Sequence, residues 1–126
     1  MDEPILLVPH DGSPLAQTAV PVARVLGDVL GASLRFLHVS RERSPSLSRL
    51  VEQLGINRAA LPAWSIDAQA GEAAPAIIAA AGEPGVHLVV MCTHTTAERP
   101  AGILGRTALQ VMQAAPCPVV LVSPDL

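Results

Sequence analysis

The sequence predicts an α/β fold in a single domain, a five-stranded parallel sheet with helices on both faces. Three observations predict it. Apolar runs alternate with stretches of helical periodicity along the chain, five of the first and four of the second. The connections between them are short, which is how βα units feed a parallel sheet. No repeat, low-complexity tract or linker interrupts the 126 residues, so residues 1–126 read as one domain able to bury a core.

The elements follow in order. Ile5-Leu6-Leu7-Val8 is an apolar run stopped by Pro9, the pattern of a strand covered on both faces. Ser13 then offers an N-cap and Pro14 a first helical residue. Leu15, Ala19, Val22, Ala23, Leu26 and Leu30 continue at helical spacing. Pro21 falls inside that stretch and is expected to kink the helix, which Gly31 ends. Residues 34–39 form the second strand. Residues 44–54 form a short helix, with Leu47, Leu50, Val51 and Leu54 on one face and Gly55 closing it. Over 63–69, Trp64, Ile66 and Ala68 alternate with Ser65, Asp67 and Gln69, which predicts a half-exposed edge strand. An Ala-rich helix spans 72–81 and tolerates Pro75 in its first turn; a buried strand spans 86–91. Residues 93–102 have no apolar period and read as a loop. Helical spacing returns over 103–115 through Leu104, Ala108, Val111 and Met112. Pro116-Cys117-Pro118 breaks it before the last strand, Val119-Val120-Leu121-Val122.

Composition narrows the chemistry. Half of the residues are hydrophobic and only 2% aromatic, so the core must be aliphatic around Phe36 and Trp64. All 8 basic residues are Arg, which argues against a P-loop NTPase, a Schiff-base enzyme and a receiver-type phospho-switch. Few aromatics and a net charge of -3 leave neither stacking platform nor basic stripe, so no nucleic-acid partner is expected. Cys92 and Cys117 form no CxxC pair and read as small buried hydrophobes, not redox catalysts. The opening Met1-Asp2-Glu3-Pro4 lacks the pattern of a signal peptide. The uncharged stretch 107–123 is broken by Pro116 and Pro118, so it reads as core, not as a membrane span. The expectation is a cytoplasmic protein with reduced thiols and no membrane partner.

In an open parallel sheet, ligands bind beyond the C-terminal strand ends, where the strand order reverses. The first and fourth strands are the two most apolar internal strands, and the reversal is placed between them. Their ends carry Pro9-His10-Asp11-Gly12-Ser13 and Met91-Cys92-Thr93-His94, which with the loop to Gly105 form the expected site. Asp11 reads either as a turn residue or as a binding carboxylate, and Ser13 can fill the first role. Gly105 reads either as a hinge or as the start of a helix whose free N–H groups suit a phosphate, with Arg106 beside it. His10, His38 and His94 would stand at strand ends but show no metal-ligand spacing, so no metal site is expected. No G-x-S-x-G elbow surrounds Ser13 and no G-x-G-x-x-G turn is present, which argues against serine-hydrolase and dinucleotide chemistry.

The runs from Ile5 to Ser13, Leu37-His38-Val39, and Met91-Cys92-Thr93-His94 resemble the universal stress protein family. So do Leu104-Gly105-Arg106-Thr107 and Ala115-Pro116-Cys117-Pro118-Val119-Val120-Leu121-Val122. The resemblance spans essentially the whole chain. It implies the sheet order 3-2-1-4-5, an adenine-nucleotide-binding-like fold, and no enzymatic turnover beyond slow ATP hydrolysis. Binding members carry a glycine-rich loop, G-x2-G-x9-G-S/T, after the fourth strand. Set against it, Thr95 and Glu98 take the first two glycine positions and Gly105 and Arg106 the last two, with Thr107 one place later, although only 6 residues separate Glu98 from Gly105.

The resemblance implies ATP or AMP as ligand, with Mg only as the nucleotide's companion. Asp11 would contact adenine or ribose, Pro9, His10, Val39 and Met91 would line the pocket, and His94, Gly105, Arg106 and Thr107 would stand at the phosphate end. Thr95 adds a Cβ and Glu98 a negative charge near a triphosphate; Arg99 and Arg106 could compensate. The resemblance also implies a homodimer in which Val119, Val120, Leu121 and Val122 pair with an antiparallel copy of themselves. Two expectations stand side by side. One is a stress-response protein that binds adenine nucleotide through a degenerate phosphate loop. The other is a dimeric interaction module that binds no nucleotide.

Overall fold

In the computed structural model, which describes residues 4–11, 15–40, 64–93 and 105–123, the apolar runs form a five-stranded parallel sheet. Its strands are β1 (Ile5–Pro9), β2 (Ser33–Ser40), β3 (Trp64–Ala70), β4 (Val86–Cys92) and β5 (Val119–Val122). They lie in the order β3-β2-β1-β4-β5, and every pairing is parallel. Three helices are described: α1 (Ala19–Leu30), α2 (Ala73–Ala81) and α3 (Arg106–Ala114). The expected helix over 44–54, with Gly55, lies outside the described residues, as do Ser13 and Pro14. No described helix is long and apolar enough to cross a membrane.

Side-chain alternation divides the core into two layers. Leu6 and Val8 point to one face with Leu34, Phe36 and Val90, where Ala19, Val20 and Ala23 of α1 cover them. Leu7, Leu37, Val89 and Met91 point to the other, beneath Ala74 and Ile77 of α2 and Ala108 and Val111 of α3. Leu6, Leu7 and Val8 are fully buried, as a strand covered on both faces requires. β3 is an edge strand, its Trp64, Ile66 and Ala68 half-buried and its Ser65, Asp67 and Gln69 exposed. β4 departs from expectation, since only Val89 onward is buried and His87 is exposed. Its first residues flank a register shift, where Ile5 pairs with Val86 but Leu6 with Leu88.

The expected kinked helix over 14–30 is replaced by a 3-10 turn, Ala16–Thr18, followed by α1. The break has a physical reason. Pro21 becomes the third residue of α1, where an N–H has no intrahelical partner to lose. A helix running through from Pro14 would set the Pro21 ring against the Gln17 carbonyl. α1 ends as expected at Gly31, whose φ of 63° is the left-handed conformation, and the Ala32 N–H donates to the Gly27 carbonyl at 2.9 Å. The last helix starts at Arg106, not at 103, because Gly105 is extended with φ -66° and ψ 156°. Residues 103 and 104 lie outside the described residues.

Candidate functional site

The order 3-2-1-4-5 makes the chain turn left after β1 and cross to the right before β4, so the sheet opens between these two strands. At their C-terminal ends, with β2 alongside and α3 arriving from above, lies a cavity of about 280 Å³. Pro9, His10, Asp11, Val39, Met91, Gly105, Arg106 and Thr107 all line it, together with Cys92 and Thr93. His94 lies outside the described residues, and so do Thr95, Glu98 and Arg99. Ala16, Leu37, Ala73, Ile77 and Ala108 also line the cavity and were not singled out from the sequence. Ala73 and Ile77 are one helical turn apart on α2, a spacing identical to that of its core contacts.

The β1 end of the cavity is held from two sides. The His10 N–H donates to the Leu37 carbonyl at 2.9 Å, while His38 Nδ1–H donates to the His10 carbonyl at 3.0 Å. The His10 ring is 3% exposed, and its Nε2–H donates to Gln17 Oε1 at 3.0 Å. Burial holds the His10 pKa below the ordinary 6.5; the Gln17 hydrogen bond and the Asp11 charge oppose this shift, and His38 adds to it. The ring is therefore neutral at pH 7. Asp11 follows it at the cavity rim, exposed.

The α3 end has the opposite electrostatic character. The Gly105 N–H donates to the Thr93 carbonyl at 2.7 Å, so the chain leaves β4 and enters α3 at one point. The first bond within the helix runs from the Leu109 N–H to the Gly105 carbonyl at 3.0 Å. The N–H groups of Arg106, Thr107 and Ala108 thus have no partner within the helix. No side-chain oxygen caps this end and no acidic residue stands in its first turn. The helix dipole and the exposed Arg106 guanidinium both favour an anion here.

The thiols are turned to other uses. Cys92 is buried and donates its S–H to the Leu15 carbonyl at 3.3 Å, with Thr18 Oγ1 at 3.5 Å. Partial burial pushes the Cys117 thiol up. Among the described residues, no three His, Cys, Asp or Glu side chains gather as metal ligands would.

The family model of the universal stress protein family matches residues 50–123. Among solved structures, universal stress protein UspA from Lactobacillus plantarum superposes with a TM-score of 0.73 at 22% identity, over 97% of this chain and 99% of that one. A universal stress protein in complex with cAMP gives 0.74 at 23% identity, over 98% and 99% of the two chains. The universal stress protein from Archaeoglobus fulgidus in complex with dAMP gives 0.62 at 15% identity, over 95% and 97%. No curated protein sequence matches. The family match covers more than half of the chain and runs through β3, α2, β4, α3 and β5, so this protein belongs to the universal stress protein family.

Proposed function

We propose that the cavity binds an adenine nucleotide, its nucleoside between Asp11 and the aliphatic wall and its phosphate at the start of α3. The observation that carries this reading is the union of two unlike ends in one cavity. The Asp11 carboxylate, an uncapped helix N-terminus with Arg106, and the apolar Leu37, Val39, Met91 and Ile77 all line it. These three characters match the three parts of a nucleotide: the apolar wall suits the base, the carboxylate the ribose hydroxyls, and the anion donors the phosphate. The Asp11 carboxylate accepts from ribose hydroxyls or the adenine amino group. The Arg106 guanidinium and the first N–H groups of α3 donate to phosphate oxygens. Two structurally similar family members are complexes with cAMP and dAMP, each a nucleotide with one phosphate.

Counted back from Gly105, the motif's spacing puts its first two glycines at Cys92 and Thr95, not at Thr95 and Glu98, so both glycines that let a backbone approach a polyphosphate are replaced. AMP therefore competes well with ATP, and Mg enters only with a polyphosphate. On this reading residues 1–126 form one domain, a cytoplasmic stress-response protein that senses nucleotide without rapid turnover. Isothermal calorimetry with AMP, ADP and ATP tests it. Saturable binding, with AMP within about tenfold of ATP, that is within about 1.4 kcal/mol, is expected. Neither heat nor thermal shift at millimolar nucleotide leaves a non-nucleotide interaction module as the function.

The same reading includes a homodimer through β5. β5 pairs with β4 on one side and is the edge of the sheet on the other, although Val119, Val120, Leu121 and Val122 are all apolar and half-buried. An apolar edge of this kind invites a further strand, and an antiparallel copy about a two-fold axis supplies one. Val120→Lys is expected to reduce the mass seen by light scattering to that of one chain. An unchanged dimer mass sinks the β5 interface.

A further inference from the structure

Three of the five large hydrophobic side chains exposed among the described residues lie on α1: Val25, 62% exposed, Val29, 76%, and Leu30, 51%. A helix packed on one face of a sheet needs one buried stripe, and α1 already has it in Ala19, Val20, Ala23 and Gly27. At about 100° per residue, Val25 and Val29 stand away from that stripe, and Val22 and Leu26 at its margin join them to the core. Beside the two valines on the outer face run Arg24 and Asp28, one turn apart and both exposed. Neither makes an ion pair or a hydrogen bond with a described residue.

The two charges run against their own helix. Asp28 stands in the last turn, where the dipole disfavours an anion, and an acid four residues after a base is the weaker order for a pair within one helix. A second helix lying antiparallel removes both objections. Its dipole is reversed, and a two-fold axis at the level of Leu26 sets Arg24 of each copy beside Asp28 of the other, since each lies two residues, about 3 Å, from that level. An axis that passes between the helices, perpendicular to both, also keeps like flanks together. Val25 and Val29 then meet their own copies on one flank while the charges meet on the other. We infer that the outer face of α1 is a docking surface for a second copy of this chain, held by Val25 and Val29 and by two reciprocal Arg24–Asp28 pairs.

The contact needs neither the nucleotide cavity nor the β5 edge, and stands if either of those readings fails. A chain that uses both α1 and β5 joins more than two copies. A helix of 12 residues is about 18 Å long and about 10 Å wide, so the face falls well below the roughly 800 Å² per partner of a standard interface. The association is therefore reversible and rises with concentration. The charges fix its direction more than its strength. A parallel copy would set the charged flank of one helix against the valines of the other and bury unpaired charges.

Sedimentation equilibrium from about 10 μM to about 1 mM tests the surface. The average mass of the full chain is expected to rise with concentration, and the same rise is expected in Val120→Lys, where the β5 edge is blocked. Arg24→Asp and Asp28→Arg each give the flank charges of one sign. Each alone should shift the association midpoint to at least about tenfold higher concentration, because the two-fold axis counts every substitution twice. Mixed in equal amounts, the two variants should associate again, the acidic flank of one meeting the basic flank of the other. Val29→Lys should lose the rise through the apolar flank. All of these positions are exposed, so the variants keep the fold. A wild-type mass that does not rise overturns the inference, as does an unchanged midpoint in either single variant or a mixture that sediments like its separate components.

Discussion

Phe36→Ala is expected to lower folding stability by about 3–5 kcal/mol, the range for truncating a buried aromatic ring. Phe36 is fully buried, and its ring lies 4.9 Å from that of Trp64 at an interplanar angle of 56°. With only 2% aromatic residues in the chain, no other large ring can move into the space. The fully enclosed residues that α1 gives to this cluster are the short Ala19, Val20 and Ala23, with Val22 and Leu26 packed at its margin. The pair also joins β2 to the edge strand β3, and β2 carries Leu37 and Val39 into the candidate site. Urea unfolding should show a lower midpoint with an unchanged slope. A loss below about 1 kcal/mol would mean that α1 collapses onto the sheet and that this layer of the core is softer than its packing implies.

Arg106→Ala is expected to weaken AMP and ATP by about 1.5–3 kcal/mol, roughly ten- to a hundredfold, while leaving adenosine unaffected. The guanidinium is one of several donors at the start of α3, so the backbone N–H groups retain part of the phosphate affinity. Asp11→Ala is expected to behave differently, weakening adenosine, AMP and ATP alike, because all three share the nucleoside. Competition calorimetry with the three ligands separates these patterns. Equal losses of adenosine and AMP affinity in Arg106→Ala would place the arginine at the wrong end of the ligand.

Much of the fold was legible because β1, β3 and β5 carry patterns with one meaning. Leu6-Leu7-Val8 can only be a strand covered on both faces, and the alternation from Trp64 to Gln69 can only be an edge. The start of α1 was not legible, since residues three apart share a face in both 3-10 and α-helices and only the Pro21 ring distinguishes them. The start of α3 was misplaced because Ile103 and Leu104 continue an apolar spacing past the extended Gly105. The polar ends of the cavity could be read from Asp11, Arg106 and Thr107, whose types have few uses in a core. Its walls could not. Leu37, Ala73, Ile77 and Ala108 are chemically the same as the core residues beside them, and only the strand order shows that they border the cavity. The Gln17 partner of His10 lies on a turn that no periodicity announces.

The most direct test of the nucleotide site is an NMR titration of the labelled protein with AMP, following backbone amide shifts. The largest changes are expected at Asp11, Val39 and Met91 and across the N–H groups of Arg106, Thr107 and Ala108, with β3 and the outer face of α1 unmoved. Saturating AMP that leaves these amides where they were, or shifts Val119–Val122 instead, would contradict the placement of a nucleotide in this cavity.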